Sequence, residues 1–109
     1  MISTVTIGGE ECRLVSSGLT PRAYRFHFGS DFFRDAKRFR DKYDAGEDYS
    51  FEFLENMVWL MLKHGGNDVG ENIEDWLPTI EVSDLYGCAE AVGKHLAADF
   101  QTSAKSKKK

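Results

Sequence analysis

The chain has 109 residues and a mass of 12.4 kDa, the size of one ordinary domain, and with 41% hydrophobic and 13% aromatic residues it can bury a core. No apolar run approaches the ~20 residues that span a bilayer, and the opening Met-Ile-Ser-Thr-Val-Thr lacks the basic-then-apolar order of a signal peptide, so no membrane association and no export are expected. The net charge of -4 hides a division: residues 22–42 carry +4, residues 44–104 carry -11 and Lys105 to Lys109 carry +4, an asymmetry that bears on association rather than on fold.

Two β-rich runs, residues 3–7 and 10–16, flank Gly8-Gly9, the pair that supplies positive φ to a two-residue hairpin turn. Thr20 then suits a helix N-cap and Pro21 its first turn, with Leu19 and Tyr24 spaced as a hydrophobic staple. Gly29 suits a left-handed stop, and Ser30 a cap for a second helix with the stripe Phe32, Ala36, Phe39 and Tyr43. Ser50 is placed to cap a third helix that runs to about His64 and stops at Gly65-Gly66. Its apolar residues cover most of its circumference, as in a central helix. Glu52, Glu55, Asn56 and Lys63 keep a narrow polar face, and Trp59 lies within it.

Ile73 to Leu77 allows one helical turn before Pro78. Ser83 is placed to cap a last helix over about 84–100, with Leu85, Ala89, Val92, Leu96 and Phe100 as its stripe and Gly87, Ala91 and Gly93 making it thin. The reading is one α+β domain over 1–100, an N-terminal β-hairpin followed by a mainly α-helical part. Residues 101–109 read as a disordered basic tail.

Chemistry is sparse. Cys12 and Cys88 are too few for a disulfide framework and read as small reduced thiols. His27, His64 and His95 show no metal-ligand spacing, and His64 beside Gly65 suits a cation at a helix C-terminus. The run from Gly65 to Gly70 lacks the lysine of a P-loop. No enzyme, cofactor or metal is expected. The basic segment interleaves Arg22, Arg25, Lys37, Arg38 and Arg40 with Tyr24, Phe33 and Tyr43, which permits a nucleic-acid face. Three acids in the same segment favour instead a solvated face, or contact with an acidic protein surface. For Trp59 two readings stand: a core residue covered by the hairpin or the Trp76 segment, or a partly exposed binding anchor.

The motif Thr20-Pro21-Arg22-x-Tyr24-Arg25-x-x-Phe28-Gly29-x-Asp31 resembles the tail assembly chaperones of long-tailed bacteriophages, in the branch common in phages and prophages of Gram-positive bacteria. The later segments Phe51 to Met57 and Ile73 to Leu77 follow in the same order, so the resemblance covers nearly the whole chain. It implies a non-enzymatic protein of the bacterial cytoplasm that binds the tape measure protein, helps recruit the tail tube protein and is absent from the finished virion. Coverage of a long tape measure helix by many small copies implies self-association and helix-in-groove recognition. The alternatives are a nucleic-acid-binding phage protein that uses the basic face of residues 22–42, and a structural tail or head–tail component.

Overall fold

The computed structural model describes residues 1–100; the basic tail expected at 101–109 lies outside the described residues. Strands β1 (Ile2–Ile7) and β2 (Glu10–Val15) pair antiparallel, from Ile2 opposite Val15 to Ile7 opposite Glu10. Gly8 and Gly9 turn the corner at φ +60° and +82°, the two positive values the tight turn needs. A lone hairpin is marginal in water. This one lies with β2 against helix α3 (Phe51–His64), where Leu14 is fully buried.

Helix α1 (Thr20–Phe28) carries Pro21 in its first turn and ends at Gly29, whose φ of +65° lets its N–H reach the Arg25 carbonyl. Thr20 is not the cap. Leu19 holds that position without a side-chain bond, while the buried Thr20 hydroxyl accepts from the Ser17 N–H and pins the entering loop. Helix α2 (Phe32–Asp44) is capped by Asp31, which accepts from the Arg34 N–H, and not by Ser30, whose hydroxyl donates to Asp35. A carboxylate at that position both accepts the bond and meets the positive end of the helix dipole. The expected stripe holds: Phe32, Ala36 and Phe39 are buried, and Tyr43 is half-buried beside them.

Ser50 caps α3 as expected, accepting from the Phe53 N–H. Nine of the fourteen α3 residues are buried, and β2, α1 and α2 all pack on it. So do α4 (Ile73–Trp76), α5 (Val82–Gly87) and α6 (Ala89–Phe100). It is the central element.

A 3₁₀ turn at Leu77–Thr79 carries Pro78. The single last helix expected over 84–100 is two helices, and the first begins after Glu81 with no side-chain cap from Ser83. The break falls after Gly87, a weak helix former. There Cys88 takes φ -90°, ψ -6° and donates its N–H to Leu85, three residues back. The inward stripe survives the break, with Leu85, Ala89, Val92 and Leu96 buried. Gly93 lies 3.7 Å, measured from where a Cβ would sit, from the Tyr43 ring, so part of the thin face serves internal packing between α2 and α6.

Candidate partner-binding surface

The residues of α1 divide by direction. On the inner side Tyr24 is buried among Phe28, Phe32 and Phe53, with ring centroids 5.1, 5.6 and 5.6 Å away. Its hydroxyl donates to Asp35 at 2.8 Å, and the same carboxyl receives the Ser30 hydroxyl and the Arg34 guanidinium. Partial burial pushes Asp35 up, but these three bonds outweigh it and hold its pKa below the usual value. Burial, and then the Asp35 charge, push the Tyr24 phenol up. Tyr24, Phe28 and Asp31 of the motif therefore join α1, α2 and α3.

The outer side of α1 is different. Leu19 is 55% exposed and Phe26 82% exposed, seven residues apart on one face, with Ala23 between them. Leu19 belongs to this outer surface, where the staple with Tyr24 would have turned it inward. Together with Arg22, Arg25 and His27 these residues border a shallow groove of 390 Å³. Neither arginine has an acidic partner among the described residues.

The other basic residues behave otherwise. Lys37 pairs with Asp41 at 2.9 Å, Arg40 with Asp44 at 3.5 Å, Arg34 with Asp35 at 3.3 Å and Lys42 with Glu47 at 3.5 Å. Most of the positive charge on α2 is thus met locally, by helix neighbours. Arg38 lines a separate cleft of 530 Å³ with Tyr24, Asp35, Glu52, Asn56 and Glu74, where acids flank it. The fold therefore gathers Arg22 and Arg25 around Phe26, and leaves Lys37, Arg38 and Arg40 apart from them. Phe33 is exposed on α2. Leu19 and Phe26 were missed as surface residues in the sequence, although their seven-residue spacing opposite Tyr24 was readable.

Trp59 is not an exposed anchor. It is 1% exposed, and its indole N–H donates to the Val69 carbonyl at 3.1 Å. His27 and Phe28 of α1 pack edge-on against its ring, and the Lys63 ammonium lies 5.5 Å from the ring centre. The cover comes from α1 and the loop after α3, and a polar-looking helix face is buried because that loop folds back over it.

His64 does not behave as a helix-end cation. Burial lowers its pKa, and nearby His27 and Lys63 lower it further, which disfavours the charged ring. His95 is fully buried between the hairpin and α6. The Ser16 hydroxyl donates to Asp99, so it must accept from His95 Nδ1 at 2.6 Å; His95 Nε2 then accepts from the Ser3 hydroxyl at 2.7 Å. Serine, histidine and aspartate meet here, yet the carboxylate bonds the serine rather than the imidazole. Both ring nitrogens are already engaged, and the cluster is a clamp between the hairpin and α6.

Burial and the Asp84 charge push the Cys88 thiol up to about 11. Cys12, half-buried on β2, is also raised, by burial and by Glu10. Among the described residues no group of three or more His, Cys, Asp or Glu side chains is placed to hold a metal ion. No helix among them is long and apolar enough to cross a membrane. Compared with protein-family models, with curated proteins and with solved structures, the chain matches none.

Proposed function

We propose that this domain is a tail assembly chaperone of a long-tailed bacteriophage, working in the cytoplasm of the bacterial host. It holds helical segments of the tape measure protein soluble, assists assembly of the tail tube protein, and is not retained in the virion. The observation that carries the reading is the outer face of α1. There Phe26 and Leu19 lie open between Arg22 and Arg25, which have no acidic partner among the described residues. An exposed aromatic framed by free arginines fits an amphipathic helix whose apolar stripe is bordered by acids. The resemblance of the stretch from Thr20 to Asp31 supplies the identity of that helix.

Co-expression tests the reading. Tape measure fragments move from the insoluble to the soluble fraction and co-purify with the wild-type chain. The Phe26→Ala variant and the double variant Arg22→Glu, Arg25→Glu lose that capture while keeping the wild-type circular dichroism. If no fragment along the tape measure is held, and DNA or the tail tube protein is retained instead, the chaperone reading is wrong.

A further inference from the structure

In an antiparallel pair, backbone bonding alternates: one residue pair exchanges both bonds, and the next turns its N–H and C=O groups outward. Met1 and Ser16 set the phase here. The Ser16 N–H donates to the Met1 carbonyl at 3.0 Å, and the Met1 amine donates to the Ser16 carbonyl at 2.7 Å. Counting along the register, Ser3 with Leu14, Val5 with Cys12 and Ile7 with Glu10 are the bonded pairs. The backbone groups of Ile2, Thr4 and Thr6 therefore point away from β2, and the described residues offer them no partner.

The two edges of the hairpin are treated differently. On the β2 side the Arg13 carbonyl accepts from Asn67 Nδ2 at 2.8 Å, and the Gly65 backbone packs on it so closely that a Cβ there would lie 2.2 Å from the oxygen. That edge is covered by the chain itself at Arg13, and it carries the charges of Glu11 and Arg13. The β1 edge has no charge, proline or bulge from Ile2 to Ile7, and α5, which approaches it, takes up none of its outward backbone bonds. Beside it runs a groove of 420 Å³ that includes Gly87 and Ala91 of α5 and α6, and a Cβ added at Gly87 would meet nothing within 4 Å. The small residues of the thin helical face thus leave room next to a bare strand edge.

We propose that this edge is filled by the same edge of a second copy, β1 pairing antiparallel with β1 about a two-fold axis through Thr4. The outward groups sit at positions 2, 4 and 6, symmetric about Thr4, so two copies meet in register without offset. Ile2 of each copy lies opposite Thr6 of the other and Thr4 opposite Thr4, every such pair exchanging both of its bonds. These neighbours are uncharged and β-favouring, compatible as cross-strand pairs. The charged residues lining the groove, Glu90 and Lys94, are already paired with each other at 3.5 Å, so like charges do not oppose the approach. The product is a four-stranded sheet in the order β2, β1, β1, β2, an isologous contact that closes at a dimer. It does not depend on the tape measure reading.

Sedimentation of the full chain across a concentration series, at low and at high salt, tests the pairing. The mass rises from 12.4 kDa toward twice that value with concentration, equally at both salts because the pairing strand carries no charge and the flanking Glu90 and Lys94 are paired with each other. Thr4→Pro removes an outward N–H that the hairpin does not use, and Thr4→Lys sets two ammonium groups face to face. Each variant stays monomeric, the lysine variant serving if the proline disturbs the strand. Amide exchange on the wild type reads the alternation directly: Ile2, Thr4 and Thr6 gain protection with concentration, while Ser3 and Val5 do not. A wild type that is monomeric throughout, dimers that survive both substitutions, or association that falls as salt rises would overturn the proposal. Protection of the even-numbered amides only on adding an extended peptide would do the same, and would assign the groove to such a peptide.

Discussion

Gly65 offers a test in which two physical arguments predict opposite signs. Its φ is -82°, a value any residue adopts, so conformation does not require glycine there. On that ground alone Gly65→Ala should stabilise the protein by about 0.4–1 kcal/mol, by restricting the unfolded chain. Space argues the reverse. The new Cβ would sit 2.2 Å from the Arg13 carbonyl oxygen and 2.9 Å from its carbon, both backbone atoms of β2. Ordinary contact distance demands that β2 withdraw by roughly 1 Å or more from the end of α3.

Such a shift strains the packing between the two elements, at about 1–3 kcal/mol. It also stretches the 2.8 Å bond from Asn67 to the same carbonyl, worth about 1 kcal/mol. The expected result is a net loss of about 1–3.5 kcal/mol once the backbone gain is set against these costs, read from urea unfolding with the midpoint lowered and the slope unchanged. Gly66→Ala is the companion variant: its φ of +89° is a left-handed conformation with open space around it, so its loss of about 1–2 kcal/mol arises from backbone strain. If Gly65→Ala is as stable as the wild type or more so, the close approach of β2 to α3 is wrong.

Trp59→Ala should cost about 3–5 kcal/mol by cavity formation, and Trp59→Phe about 1–3 kcal/mol by leaving the Val69 carbonyl unpaired; a negligible change in thermal unfolding for both would place the ring on the surface after all. Burial lowers the pKa of His27, His64 and His95 below the unfolded value, so the unfolded chain binds more protons. Their contribution to stability is present above pH ~6.5 and is lost as the pH falls below it, so a flat profile from pH 7.5 to 5 refutes these downward shifts. Asp35 and Asp99, both lowered, add a second loss at more acid pH, below ~3.9. A thiol reagent applied to the native protein should modify Cys12 well before Cys88, whose thiol is buried and raised to about 11; equal rates would contradict the packing at the junction of α5 and α6.

What could be read from the sequence follows the range of the forces involved. The hairpin turn, the stripe of α2 and the Ser50 cap depend on residues within a few positions of one another, and periodicity reports them. The choice between Ser30 and Asp31 as cap was not readable, because Asp35 draws the Ser30 hydroxyl away into a network with Tyr24. Trp59 defeated periodicity for the same reason at longer range. Its helix face is polar by composition, and only the fold-back of Val69 and the arrival of α1 bury it. The clamp at His95 joins positions 3, 16, 95 and 99, which no local pattern connects.

The motif from Thr20 to Asp31 therefore combines two kinds of information. Thr20, Tyr24, Gly29 and Asp31 are explained by what they do inside the fold: a pinned loop, a joint between three helices, a left-handed stop and a helix cap. Any protein built on this arrangement would need such residues, whatever it binds. Arg22, Arg25 and Phe26 have no such explanation. Phe26, at an unspecified position of the motif, is 82% exposed with its ring edge-on to His27, and neither arginine has an acidic partner among the described residues, so the isolated domain gains little from the three. Exposed aromatic surface is costly to solubility and surface arginines are interchangeable with lysines unless a partner reads them. The inward residues of the motif set the angle at which Arg22, Arg25 and the neighbouring Phe26 are presented, and under the proposed function those outward side chains are the ones that meet the partner.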